Sequence, residues 1–225
     1  MPKYILKFKK QGIIKYTSHL DLLRLFKRAI KISGIPLEYS KGYNPHPKMG
    51  FAQPLSLGYT SISEYLEFTV SESLREEIVL GRLREEMPNG IELISLEQSD
   101  SDKTLASTVS SAVYEAVFPI SFKARSDEFR QLVNTYLSQD EIFALKREKK
   151  TKKYVEKNIK DQIRCIKVIE SEEPYGNISL LMELDSGSAS NLNPDLVVQS
   201  FSKYAELSFE KGDVRIERKE LIFSK

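Results

Sequence analysis

Apolar residues recur along this chain at two spacings, every second residue and every third or fourth, and the order of these segments restricts the fold more than any motif. Tyr4 to Lys10 alternates apolar and polar side chains, the period of a half-buried strand. Ser18 then reads as a helix N-cap, with Asp21 three positions on as an acidic capping box. Leu22, Leu23, Phe26, Ala29 and Ile30 make the apolar stripe of that helix, and Gly34 with Pro36 stops it. Leu37 to Ser40 reads as a short strand, and Ser63 to Val70 alternates cleanly as another. Ser71 to Met87 reads as a second helix, with Leu74, Ile78 and Leu83 inward and Glu76, Glu77, Glu85 and Glu86 outward. Pro88-Asn-Gly90 ends it, and Ile91 to Leu96 is a further strand.

The resulting order, β-α-β-β-α-β, is that of the split β-α-β unit. After a polar junction at 99–103 the same order returns. Ser111 to Pro119 reads as a strand and Ser126 to Leu137 as a helix. Ile142 to Lys150 with Val155 to Val168 reads as a long basic hairpin or arm. A strand from Asn177 to Leu184, a helix from Asn193-Pro194 to about Leu207 and a strand from Val214 to Phe223 complete the set. The expectation is an α+β chain of two tandem ferredoxin-like (βαββαβ) domains, at 1–98 and 108–225.

Charge is where composition becomes informative. A net charge of only +2 conceals segregation. Lys3 to Gly50 holds eleven Lys/Arg against Asp21 and Glu38, a balance of +9. Thr60 to Asp102 holds eleven acids against three arginines, −8, and Lys146 to Lys167 ten bases against three acids, +7. Such blocks create local fields that attract polyanions, although a charge run is often only a solvated face. On the first helix Arg24, Lys27, Arg28 and Lys31 recur at three- and four-residue spacing, opposite the apolar stripe.

Between residues 38 and 58 the chain reads EYSKGYNPHPKMGFAQPLSLG, with three of its ten glycines and three of its nine prolines. Pro45, Pro47 and Pro54 stiffen this loop, while Gly42, Gly50 and Gly58 permit tight turns or close approach. Lys41 and Lys48 suit phosphates, Asn44 lies between them, and Tyr43, Phe51 and Tyr59 offer faces for unpaired bases. The plainer alternative is a crossover loop whose aromatics cover the sheet. In the second half Lys149, Lys150, Lys152 and Lys153 crowd the arm, with Tyr154 beside them, as a phosphate-tracking device or a solubilising loop.

The stretch KYTSHLDLLRLFKRAIKISGIPLEYSKGYNPHPKMGFAQPLSLGYTSISEYLEF resembles a bacterial family known as radical-SAM-linked domains of unknown function. REKKTKKYVEKNIKDQIRCIKV stands where such proteins carry a basic arm and an aspartate-arginine stretch, with Asp161 and Arg164 as approximate counterparts. The family occurs free-standing or fused behind a radical SAM enzyme with a cobalamin-binding-like region. The resemblance implies a radical SAM partner and no established activity. One cysteine, Cys165, excludes an iron–sulfur cluster, a structural zinc site or a disulfide framework built from this chain's own thiolates. The enzyme would therefore be a separate chain. Tandem ferredoxin-like domains are also similar to CRISPR-repeat-processing endoribonucleases, a likeness of fold alone.

Two histidines remain. His19 at the helix start and His46 in the loop would serve, if they converge, as base and acid of a metal-independent endoribonuclease; otherwise one packs and the other bonds within its loop. No Walker-type loop, GxGxxG, HExxH or GxSxG occurs, and no cofactor or metal is expected. The expected function is RNA binding beside the radical SAM partner, in tRNA or rRNA modification. Arg24, Lys27, Arg28 and Lys31 would hold phosphates, the 41–51 loop would receive bases, and the arm would clamp. The alternatives are the ribonuclease and a protein-interaction module. No DNA partner is expected. No membrane span or secretion signal is visible, and lone Cys165 suggests a reducing compartment, so the expected location is cytoplasmic.

Overall fold

A computed structural model describes residues 1–119, 126–148, 151–170, 178–209 and 212–224. The chain is mixed α+β with mainly antiparallel pairing, and it divides into two compact units, Met1–Val109 with Phe223–Lys225, and Ser110–Ile222. Among the described residues no helix is long and apolar enough to cross a membrane.

In the first unit β1 (Lys3–Lys10) buries every second residue, Tyr4, Leu6, Phe8 and Lys10. It lies between β4 (Ile91–Ser99) and β3 (Thr60–Thr69), antiparallel to both, in registers that pair Leu6 with Leu96 and Leu66. On the far side of β3 sits β2 (Met49–Phe51), also antiparallel. Helix α1 (His19–Ile32) starts where Ser18 Oγ accepts the Asp21 N–H, and Leu22, Phe26, Ala29 and Ile30 are buried. Those side chains meet Tyr4, Leu6, Phe8, Leu66 and Phe68 from the sheet, and Val79 and Leu83 from α2 (Glu76–Glu85), in one apolar cluster.

Two expected elements differ. The strand expected at 37–40 consists only of isolated bridges, Leu37 to Val70 and Tyr39 to Pro47; the paired strand is β2, three residues long. Helix α2 begins later than Ser71, because Tyr4 Oη accepts the Leu74 N–H at 3.0 Å and holds that backbone outside the helix. Glu76 and Glu77 then occupy its first turn, where carboxylates suit the helix dipole. A short helix, α3 (Leu105–Thr108), leads into β5 (Val109–Val117).

In the second unit β5 lies between β10 (Arg215–Phe223) and β9 (Ile178–Asp185), and β9 pairs on its other side with β8 (Ile163–Glu170). Helices α4 (Ser126–Leu137) and α5 (Pro194–Tyr204) cover the sheet through Phe129, Tyr136 and Phe201, whose rings pack at 5.3–5.4 Å. Asn193 caps α5 by accepting the Asp195 N–H at 2.9 Å, with Pro194 opening the first turn.

A separate two-stranded ribbon, β6 (Phe143–Arg147) with β7 (Tyr154–Asn158), follows α4. The arm expected to run to Val168 therefore ends at Asn158. Residues 163–170 are a sheet strand, and Arg164 is occupied there: Nε donates to Asp185 at 2.8 Å and Nη2 to the Ser110 carbonyl at 2.9 Å. No proline or glycine falls between 155 and 168 to mark this break.

Candidate nucleic-acid interface

The outer face of α1 follows from its stripe. With positions 22, 26, 29 and 30 turned inward, Arg24, Lys27, Arg28 and Lys31 emerge on the solvent side, and all four are exposed. Arg24 is engaged, its Nη1 donating to Asp21 Oδ1 at 2.7 Å. The Ser18 hydroxyl, and then Arg24, hold the Asp21 carboxyl below its usual range. Lys27, Arg28 and Lys31 make no ion pair among the described residues.

The loop is closed by backbone bonds. The Ser40 N–H donates to the His46 carbonyl at 2.8 Å, the His46 N–H to Ser40 Oγ at 3.0 Å, and the Lys48 N–H to the Glu38 carbonyl at 2.8 Å. These bonds leave 41–46 as a protruding turn with Lys41, Tyr43, Asn44 and His46 all exposed. Gly42, at φ +148°, adopts a conformation that side-chain-bearing residues avoid. Tyr43 presents its whole ring to solvent. Lys48 is half spent, its Nζ 3.7 Å from Glu38.

Phe51 and Tyr59 are corrections to the expected site. Both are buried, and the Phe51 ring sits 5.9 Å from Phe26, 6.0 Å from Phe8 and 5.2 Å from His19. No base can reach a face that the core already covers. The histidines are likewise not brought together by any hydrogen bond or ring contact. His19 packs edge-on against Phe51, while the His46 backbone serves its own turn. Burial, and then the Lys10 ammonium, hold the His19 imidazole below 6.5.

On the ribbon, Lys146, Arg147, Lys152 and Lys153 are exposed, and Lys149 and Lys150 lie outside the described residues. Lys152 has φ +59°, and its carbonyl accepts from Arg147 Nε at 3.2 Å. Because Arg147 pairs with Tyr154 and Leu145 with Glu156, one ribbon face carries Phe143, Leu145, Arg147 and Tyr154, all exposed. The apolar members of that face, Phe143 and Leu145, were not among the residues expected to bind. Three consecutive apolar residues, Phe143, Ala144 and Leu145, do not announce that only Ala144 is covered while its two neighbours face solvent.

Residues 3–194 match the profile of a family described as an uncharacterized protein conserved in bacteria, DUF2344. The chain belongs to this family. The matched span of DUF2344 takes in α1, the 41–46 turn and the β6–β7 ribbon, so all three features lie within the family's shared domain. The family description assigns no activity. No curated protein matches the chain.

Proposed function

We propose that this member of DUF2344 is an RNA-binding accessory protein of two ferredoxin-like units, acting with a radical SAM enzyme borne on a separate chain. Strand order supports the fold reading. The first unit runs β4-β1-β3-β2, and the second, with its ribbon set aside as an insertion, runs β10-β5-β9-β8. Numbered within each unit, both are 4-1-3-2 with helices after the first and third strands, the arrangement of the split β-α-β fold. The radical SAM partnership rests on the SHLD-to-SEYLEF resemblance, and one cysteine among these 225 residues is too few to hold such a cluster.

The observation that carries the RNA reading is the trio Lys27, Arg28 and Lys31, exposed on one helix face and in no ion pair with any described residue. A globular surface that merely needs solubility mixes signs, whereas uncompensated cations at one-turn spacing meet phosphates. Tyr43, standing free on a closed turn, adds a stacking face in the same unit. Fluorescence anisotropy with bacterial tRNA and with an unstructured oligoribonucleotide, over a series of salt concentrations, tests the reading. Affinity should fall steeply and linearly in log–log form as salt rises; weak binding with no salt dependence defeats it.

A further inference from the structure

Several exposed apolar side chains of the first unit belong to the turn before α1 and to its first residues, one helical turn ahead of Arg24. Ile13 is 83% exposed, Tyr16 63%, Leu20 62% and Leu57 63%. The first two belong to a 3-10 turn, Gly12–Tyr16, between β1 and α1, and Leu20 follows in the first turn of α1. The Leu57–Gly58 segment is tied to them, since the Gly58 N–H donates to the Lys15 carbonyl at 3.0 Å.

This turn is held with unusual firmness for something so exposed. Lys10 is buried, and its ammonium donates to the carbonyls of Thr17 at 3.1 Å and Lys15 at 3.4 Å. The Gln11 N–H donates to the Gly90 carbonyl at 2.8 Å, and a Cβ at Gly90 would stand 2.5 Å from the Gln11 oxygen. Ile14 packs on the core beneath, while its neighbour Ile13 points out. Burying an ammonium carries a desolvation penalty, and fixing backbone carries an entropic one. A turn that only linked strand to helix would need neither.

We infer that Ile13, Tyr16, Leu20 and Leu57 form a preorganised docking platform for an acidic, apolar polypeptide segment of another protein. Charge selects the occupant. Asp21 is the one acid before Glu38, and Arg24 and Ser18 already engage it. Lys15 lies over the Tyr16 ring at 5.1 Å, which puts a cation at the rim. A second copy docking through a two-fold axis would set that rim against itself. Three of the four side chains are aliphatic and offer a base neither a π-face nor a hydrogen bond. A fluid lipid surface gains nothing from a rigid turn, whereas a shaped polypeptide does. The inference is independent of the RNA reading.

The test is an NMR titration of the full-length chain with a short synthetic helix-forming peptide, leucine on one face and glutamate elsewhere. A lysine-for-glutamate counterpart and phosphatidylglycerol vesicles run in parallel. The acidic peptide should shift amides of 12–20 and 55–58, and Ile13→Ser with Leu57→Ser should weaken it by at least about tenfold. Both side chains are exposed, so the double variant keeps its fold, and its RNA affinity should stay within about twofold of the parent. The proposal is overturned by no binding, by equal binding of the lysine peptide, by shifts confined elsewhere, or by vesicles as the preferred ligand. Loss of RNA affinity in the double variant would overturn it too, by assigning the patch to RNA.

Discussion

Tyr43 and Phe51 lie in one loop and do opposite work. Tyr43 stands clear of the fold, so Tyr43→Ala should leave the urea midpoint unchanged and weaken single-stranded RNA binding by about 1–3 kcal/mol. Phe51 is enclosed by Phe8, Phe26 and His19, so Phe51→Ala should reduce unfolding free energy by about 3–5 kcal/mol. It should leave RNA affinity intact wherever the variant remains folded. His19 adds a pH dependence. Its imidazole takes a proton near 6.5 in the unfolded chain but only at lower pH in the folded one, because burial and then Lys10 oppose the charge. The unfolded chain thus binds more protons in that window. The stability His19 contributes is complete above pH 6.5 and is lost as pH falls through the depressed folded value. Melting temperatures taken downward from pH 7.5 should decline, and His19→Gln should flatten that decline.

The elements held by alternation and caps are those that sequence makes visible. Ser18, Asn193 and the strand at 63–70 act through neighbours a few residues away, and all appear where the pattern puts them. Elements decided by distant partners were hidden. β2 exists because β3 offers an edge to Met49–Phe51, and nothing inside PKMGF announces it. α2 starts late because of a phenol 70 residues earlier in the chain. The same division governs the site. The cationic face of α1 could be counted from spacing, but whether Phe51 or Tyr43 faced solvent depended on packing that only the folded chain possesses. Gly90 is a further case. At φ +95°, facing the Gln11 carbonyl, it resists replacement in two ways. Gly90→Ala should lower stability by at least about 1 kcal/mol in chemical denaturation, more than an ordinary turn glycine.

Across the whole molecule, charge is separated far more than its total of +2 reveals. Alanine at Lys27, Arg28 and Lys31, or at Lys146, Lys152 and Lys153, removes cations that are exposed and carry no core packing. Each set should leave the melting temperature unchanged within error. Each should reduce the salt slope of RNA binding, by about 0.7 for every single-strand phosphate that is no longer neutralised. Equal slopes in parent and variant would remove that block from the interface. Lys10 stands apart from all these cations, sealed beneath the 3-10 turn. An amine-acylating reagent applied to the native protein should mark the exposed lysines within minutes and Lys10 only when that turn lifts, so its labelling rate, read by mass spectrometry, becomes a clock for local opening of the platform.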